Sequence, residues 1–230
     1  ITYAKKLGER VAIGVSPAYI YSGIAKGLQF DGEIKNAGSA VAVNVGLYGE
    51  IHSARSRLSY GISLNNLGSK ISYGRERLKE FLPMNLRIGA SGNFSAGTQS
   101  SVTVALEATK LLLPSPPVFD PEGNIIKGQN PDKSVPQPIF CFFTDAPGGF
   151  REELREVTPS FGIEFAFREY LFARTGLVYE SRHKGNNRYS TFGLGFRYES
   201  FSFDVSRLQA LSSIDIKNGI CRFGLGILIN

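Results

Sequence analysis

Long stretches of this chain alternate apolar with small or polar residues. The clearest is the run 58–65, which reads Leu-Ser-Tyr-Gly-Ile-Ser-Leu-Asn. Successive side chains of a β-strand point to opposite faces, so this pattern predicts a strand with one apolar face and one small polar face. The pattern recurs in the segments 41–48, 102–109, 161–167, 192–198 and 222–229. The sequence therefore predicts an all-β protein.

The predicted strands are long and follow one another as a meander. They span residues 10–21, 39–50, 58–66, 84–95, 100–112, 155–167, 171–181, 189–199, 201–208 and 220–229. Most have about 9–13 residues, whereas strands of soluble proteins average about 5–6 and a membrane-crossing barrel strand needs about 9–11. Short connections (51–57, 96–99, 168–170, near 200) alternate with long ones (22–38, 67–83, 113–154, 182–188, 209–219). This predicts an antiparallel up-and-down transmembrane β-barrel, as one domain over 1–230, rather than a soluble β-sandwich or lipocalin-like barrel.

Composition and charge narrow the function classes. Hydrophobic residues make up 42% of the chain and charged residues 20%, which excludes a disordered protein. No apolar run approaches the roughly 20 residues of a membrane-spanning helix. The net charge is +6, from 26 basic and 20 acidic residues, but the basic side chains are spread among turns and loops, which argues against nucleic-acid binding. The basic residues of loops 75–79 and 182–188 are expected to face outer-membrane lipopolysaccharide phosphates or simply to be solvated.

A proline-rich segment, residues 113–154, interrupts the strand pattern. It holds eight of the eleven prolines, yet it contains apolar clusters that a solvated linker would lack. We expect residues 145–154 to form a tight turn into a short helix, and the segment to be an extracellular partner-binding element. The predicted partner-binding residues are Ile139, Phe140, Phe142, Phe143, Asp145, Pro147, Gly148, Gly149 and Phe150, with Phe150 as an anchor.

No residues form a convincing catalytic constellation. His52 and His183 are both predicted to be exposed near turns, and His183 with Ser181 or Ser190 is the one candidate for an outer-membrane lipid hydrolase. Cys141 and Cys221 lack metal-ligand spacing and are expected to be partly buried thiols, although one disulfide between them stays possible. The sequence predicts no enzyme, metal site or cofactor.

Charged residues on the small polar faces predict ion pairs inside the barrel lumen. Counting outward from three short turns places Glu164 opposite Arg174, Arg197 opposite Asp204, and Arg87 opposite Glu107. Opposite charges directly across a strand pair contribute about 0.2–1 kcal/mol each. A lumen cross-linked in this way favours a docking body over a channel for hydrophobic substrates.

Several segments resemble a known family when they are taken in order. They are Asn66–Tyr73, Phe81–Gly89, Lys110–Pro117, Gly128–Pro136, Asp145–Leu154 and Tyr179–Tyr189. Together they resemble the PorV (LptO) family, outer-membrane proteins of the Bacteroidetes type IX secretion system and members of the broader FadL-like group of 14-stranded barrels. About eleven of the fourteen strands are represented, the N-terminal strands are expected to be absent, and Leu228–Asn230 lacks the usual terminal aromatic residue.

The resemblance implies protein transport and not catalysis. Such proteins bind the C-terminal signal domain of cargo leaving the SprA (Sov) translocon and shuttle it to the PorU attachment complex at the cell surface. The family has also been associated with lipopolysaccharide deacylation, which no residue here supports. The alternative is a FadL-type outer-membrane transporter of hydrophobic small molecules.

Overall fold

Eleven strands form one antiparallel sheet in which each strand pairs with its neighbours along the chain. The computed structural model describes residues 1–24, 26–27, 29–30, 33–34, 36–73, 79–113, 118–120, 124–127, 149–182, 185–211 and 219–227. The strands of the sheet are β1 (Tyr3–Lys6), β2 (Val11–Ser22), β5 (Gly38–His52), β6 (Ser56–Gly68), β9 (Asn85–Ser95), β10 (Ser100–Leu111), β13 (Val157–Phe167), β14 (Leu171–Tyr179), β15 (Arg188–Tyr198), β16 (Phe201–Ala210) and β17 (Ile220–Ile227). The order runs from β1 to β17, and closure into a barrel stays a prediction.

The remaining elements lie in the long connections. Three two-stranded sheets pair β3 (Gln29–Phe30) with β4 (Glu33–Ile34), β7 (Ile71–Ser72) with β8 (Lys79–Glu80), and β11 (Val118–Phe119) with β12 (Ile125–Lys127). The helix α1 (Phe150–Arg155) precedes β13. None of these small sheets was expected from the sequence, and the third lies inside the proline-rich segment.

The predicted strands and the meander are confirmed. Each predicted strand of the sheet begins and ends within two residues of its observed bounds in the described part of the chain. Short and long connections alternate throughout the sheet. An all-β antiparallel architecture is therefore readable from the period-two pattern, because that pattern sets strand length and the positions of the turns.

The chain divides into two compact units. Unit 1 comprises residues 1–47, 62–87 and 110–154, and unit 2 comprises residues 48–61, 88–109 and 155–230. In unit 2 the strand β13 exposes its large apolar side chains from Phe161 to Phe167, while the small and charged residues between them are more covered. Phe165 is 43% exposed and its neighbour Ala166 is 7% exposed. In a protein surrounded by water, the large apolar side chains are buried and the charged ones are exposed.

Unit 1 contains two small hydrophobic clusters at strand ends and in the long connections. In the first, Ala40, Ala42, Ile71 and Leu82 are buried, with Ile20 and Tyr73 packed against them. In the second, Met84 and Leu112 are buried, with Leu64, Leu67, Phe81 and Leu86 packed around them. These clusters hold the bases of the long connections and not the middle of the sheet.

Cross-turn hydrogen bonds join two hairpins of unit 2 that are far apart in sequence. The backbone N–H of Arg168 donates to the carbonyl of Gln99 at 2.6 Å, and its Nε donates to Oε1 of Gln99 at 2.8 Å. Arg168 and Glu169 both have positive φ, at 50° and 56°. Positive φ at two successive turn residues matches the right-handed twist of the flanking strands. Because residues 112–156 separate β10 from β13, these bonds help to set their register.

Helices contribute little to this structure. α1 has six residues. In the described ranges, no helix has both the length and the apolar character needed to cross a membrane.

Candidate functional site

Two of the nine predicted partner-binding residues, Gly149 and Phe150, are described. Gly149 has a positive φ of 65°, and its carbonyl accepts hydrogen bonds from the backbone N–H groups of Glu152 and Glu153 at 2.9 and 3.2 Å. The predicted short helix is therefore confirmed, at Phe150–Arg155, whereas residues 145–148 of the predicted turn lie outside the described residues. The other seven, Ile139, Phe140, Phe142, Phe143, Asp145, Pro147 and Gly148, lie outside the described residues.

Helix α1 presents an apolar pair to its surroundings. Phe150 is 76% exposed and Leu154, four residues later, is 55% exposed. Residues four apart lie on the same face of a helix, so these two side chains form one surface. Glu153, by contrast, is buried. The helix is therefore held through its acidic side chain while its large apolar side chains face outward.

A buried ion pair connects α1 to strand β10. Lys110 Nζ lies 2.7 Å from Glu153 Oε2, and the two side chains are 6% and 7% exposed. Among the described residues these are the two buried charged side chains. Because they stand 43 positions apart, the pair ties the start of the proline-rich segment to its end.

The strand end that carries Lys110 continues into the second hydrophobic cluster of unit 1. Leu112 is fully buried, and its N–H donates to the carbonyl of Met84 at 2.8 Å. Phe81, in the same cluster, has Lys70 Nζ 4.1 Å from its ring centroid. A cation over an aromatic face is attracted by the ring quadrupole. The base of the proline-rich segment is thus packed on apolar as well as ionic contacts.

Lys110 and Glu153 were missed as functional residues in the sequence. The available signal was positional: Lys110 continues the apolar face of β10, to which Val102, Val104 and Leu106 belong. A lysine at such a position needs a partner or an exit to water. The local sequence pattern did not identify Glu153 as that partner.

On the small polar face of unit 2, one arginine holds two carboxylates. Glu164 lies opposite Arg174, as predicted, and Arg174 Nε is 2.5 Å from Glu164 Oε2. Arg174 Nη1 also contacts Asp204 Oδ1 at 2.5 Å. The three side chains are 38%, 32% and 47% exposed for Arg174, Glu164 and Asp204. This arrangement cross-links the small polar face of the sheet, with a different partner for Asp204 from the one that the sequence predicted.

The predicted pairing of Arg197 with Asp204 is wrong by two residues. Asp204 lies opposite Gly195, and Arg197 lies opposite Ser202. The cause is the turn: Glu199 adopts a positive φ of 49°, so two residues suffice to reverse the chain. Gly195 leaves room for Arg174 to reach Asp204 across β15, since a Cβ at that position would stand 2.7 Å from Asp204 Oδ1. Arg197 instead places its guanidinium 5.2 Å from the centroid of the Phe172 ring.

The hairpin β9–β10 also differs from the predicted register by two residues. Ala96 N–H donates to Ser100 O at 2.8 Å, and Asn93 Nδ2 donates to Thr103 Oγ1 at 2.8 Å. This register sets Gly89 opposite Glu107, where the sequence predicted Arg87. The turn is centred near residue 98, because Gly97 takes the positive φ of 81°. The Arg87–Glu107 ion pair itself stays a prediction.

The candidate catalytic residues do not assemble into a site within the described part of the chain. His52 ends β5, with its Nε2 3.1 Å from Glu50 Oε2, and His183 lies outside the described residues. The hydrolase alternative is therefore not tested. The described ranges contain no cluster of three or more His, Cys, Asp or Glu side chains that could hold a metal ion. Cys221 is a free and exposed thiol, so the expected partial burial is wrong for this residue.

Comparison with known protein families identifies the family of this chain. Residues 1–118 of the 230-residue chain match the family model described as "Type IX secretion system protein PorV". The chain belongs to the PorV family. This confirms the family resemblance seen in the sequence motifs. No curated protein matches the chain.

Membership of the PorV family makes the chain a component of the type IX secretion system, with partners in that system. The family is one of secretion components and is not known for enzymes. The matched region includes β1 to β10 and ends at β11, before α1. The PorV match therefore covers Lys110 and the start of the proline-rich segment, while the segment's return through Glu153 follows it.

Proposed function

We propose that this protein is an outer-membrane β-barrel of the type IX secretion system. In this role it binds the C-terminal signal domain of cargo leaving the SprA translocon and shuttles it to the PorU attachment complex. The observation that carries the proposal is the reversed burial of a long-stranded meander in a member of the PorV family.

The exposed faces fit contact with lipid. On β13, Phe161, Ile163, Phe165 and Phe167 are exposed while Gly162, Glu164 and Ala166 between them are more covered. Outer-membrane strands alternate in this way, apolar outward and polar inward. β13 has 11 residues and β14 has 9, which suits a tilted crossing of the hydrocarbon layer.

The inner face favours docking over conduction of hydrophobic molecules. Arg174 joins β13, β14 and β16 through Glu164 and Asp204. A lumen crossed by a charged network offers no continuous apolar path to a fatty acid. The alternative, a FadL-type transporter, predicts that the protein in liposomes takes up fatty acids. Uptake above that of empty liposomes would favour this alternative.

The proline-rich segment is the proposed contact with cargo and translocon. Its prolines restrict the backbone before binding, which lowers the ordering cost of complex formation. Its two ends are tied together by Lys110 and Glu153, and Phe150 is 76% exposed beside them. Phe150 and the apolar residues 139–143 are the proposed anchors.

Deletion of residues 140–150 tests this proposal. We expect the variant to insert and fold, as judged by its heat-dependent gel mobility, but to lose association with a purified cargo signal domain and with the translocon. A matched control deletes residues 213–217, in a different long connection, and is expected to retain both associations. If cargo secretion and both associations survive the 140–150 deletion, the proposed contact is wrong.

A further inference from the structure

A polar cavity of about 410 Å³ lies beside two short turns of unit 2. Its lining comes from positions within 93–101, around the turn between β9 and β10, and within 166–169, around the turn between β13 and β14. The volume falls within the range of about 300–1,000 Å³ that is usual for ligand pockets. Such pockets are mostly apolar, whereas Ala166 supplies the one apolar side chain of this lining, all of whose residues are described. The cavity therefore suits a ligand that forms hydrogen bonds.

Arg168 lines the cavity with a guanidinium that is already oriented by its neighbours. Its Nε donates to Oε1 of Gln99 at 2.8 Å, and its guanidinium carbon lies 5.4 Å from the centroid of the Phe167 ring. In the described part of the chain, no carboxylate contacts this guanidinium. Because a guanidinium has five N–H groups, the four on its two terminal nitrogens remain available to a ligand. A planar pair of such donors matches two oxygens of a carboxylate or a phosphate.

Other side chains of the lining add groups that can bond a peptide main chain. Because Oε1 of Gln99 accepts from Arg168, the Nε2 group of Gln99 keeps its two N–H donors. Ser95, Thr98 and Ser100 also line the cavity, and their hydroxyl groups make no hydrogen bond to another described residue. A hydroxyl group both donates and accepts, and each peptide unit offers one N–H and one C=O. The lining therefore matches a short stretch of peptide beside an anion.

The charge of the lining favours a carboxylate over a phosphate. Arg168 and Glu169 are the two charged residues of the lining, so their formal charges cancel. A phosphate monoester carries about −1.5 to −2 charges at neutral pH, whereas an ionised carboxylate carries a single negative charge. The carboxylate of Glu169 therefore repels a phosphate more strongly than it repels a carboxylate.

We propose that this cavity binds a peptide through a carboxylate, which the two terminal nitrogens of Arg168 hold. Gln99 fixes the guanidinium, and Ser95, Thr98 and Ser100 bond the adjoining main chain of the ligand. A peptide is favoured over another acidic ligand because the chain belongs to a secretion-system family. The inference goes beyond the proposed function and does not rest on it, since residues 139–150 belong to the connection at the other ends of β10 and β13.

Nuclear magnetic resonance titration of the whole chain in detergent tests this site. The probes are acetyl-Gly-Ser-Gly-Ser with a free C-terminal carboxylate, the same peptide as its C-terminal amide, and acetyl-Gly-Asp-Ser-amide with one side-chain carboxylate. The signals of the Gln99 side-chain amide and of Arg168 Nε–H report on the cavity itself. We expect saturable shifts of both signals with a carboxylate probe, and at least about tenfold weaker binding of the neutral amide. The carboxylate probe that binds more tightly tells whether a chain end or a side chain is recognised.

Substitutions in the lining show whether the peptide binds through the proposed groups. Arg168→Lys keeps the charge but loses the planar pair of donors, so the carboxylate probe should bind at least about tenfold more weakly. Ser100→Ala, which leaves the turn of Arg168 intact, should weaken binding about threefold. Glu169→Gln should strengthen it about two- to fivefold at low salt. Arg197→Lys is the matched control, expected to stay within about twofold, because Arg197 also lies over an aromatic ring but does not line the cavity.

Contrary results would overturn the proposal in distinguishable ways. Absence of saturable shifts with both carboxylate probes would overturn the site itself. Binding that Arg168→Lys and Ser100→Ala both leave unchanged would place the peptide elsewhere and overturn the site as well. Tighter binding of inorganic phosphate or of galacturonate than of the carboxylate peptides would overturn the choice of ligand. None of these measurements involves residues 140–150, so failure of the proposed cargo contact would be seen only in the deletion described above.

Discussion

The ion pairs of the two units stabilise the protein in different ways. In unit 1, Lys110 and Glu153 are buried and 43 residues apart in sequence. In unit 2, Arg174 shares its guanidinium between Glu164 and Asp204, and all three side chains remain about a third to a half exposed. Water can replace the contacts of the second site but not those of the first. Burial, more than the number of contacts, therefore decides how much each ion-pair site contributes to the stability of the protein.

The two sites also depend on different parts of the fold. The hairpin register already places Glu164 opposite Arg174, so their ion pair follows from strand pairing. No tight turn places α1 on β10, since a long segment separates them. The ion pair of unit 1 thus helps to define a tertiary contact, whereas that of unit 2 adds to a contact that the backbone has made.

Removing one carboxylate from each site tests this comparison most strongly. We expect Glu153→Leu to destabilise the contact of α1 with β10 by ~3–5 kcal/mol, because the buried Lys110 loses the carboxylate that lies 2.7 Å from its Nζ. Glu164→Leu should cost only about 0.2–1 kcal/mol, because Arg174 keeps Asp204 and access to water. Hydrogen exchange of the amides in α1, β10, β13 and β14 would measure both. Similar losses of protection at the two sites would break the comparison.

A cation introduced by substitution on the apolar face, where no carboxylate is built to meet it, provides a comparison for Lys110. Ile62 is 43% exposed, and Arg at this position is expected to cost ~2–4 kcal/mol if the face meets the middle of the lipid layer. Its neighbour Ser63 points to the polar face, so Ser63→Arg serves as the matched control and should be much milder. Urea unfolding from lipid vesicles would measure both free energies. Equal penalties would indicate that neither face contacts lipid.

The smallest expected effect on stability concerns Gly195, which lies next to the guanidinium of Arg174. A Cβ at Gly195 would stand 2.7 Å from Asp204 Oδ1 and 3.2 Å from Arg174 Nη1, whereas at Gly162 its nearest neighbour would be Thr175 O at 3.8 Å. Gly195→Ala should therefore destabilise the protein by about 1 kcal/mol, within the range of a partly exposed ion pair. Gly162→Ala should be neutral or stabilising by up to about 1 kcal/mol. The same unfolding assay would compare them, and a stabilising Gly195→Ala would contradict this account of the network.

Local pattern was enough to predict the strands, their meander and the family. Period-two alternation depends on neighbouring residues alone, so each strand could be placed within two residues of its observed bounds. The turn at residues 168–170 was also centred correctly, which is why Glu164 and Arg174 were paired correctly. The partner-binding role of residues 139–150 stays a prediction, and residues 139–148 lie outside the described residues.

The sequence by itself determined which side chains share a strand face, because alternation leaves no other arrangement of a regular strand. Tertiary structure decided which charges meet. The positive φ of Glu199 shortened one turn and moved Asp204 from Arg197 to a place within reach of Arg174. The return of a long connection brought Glu153 to Lys110. Both outcomes depend on backbone geometry and on contacts between distant residues, and the free-energy differences that choose between such alternatives are not encoded in any local pattern.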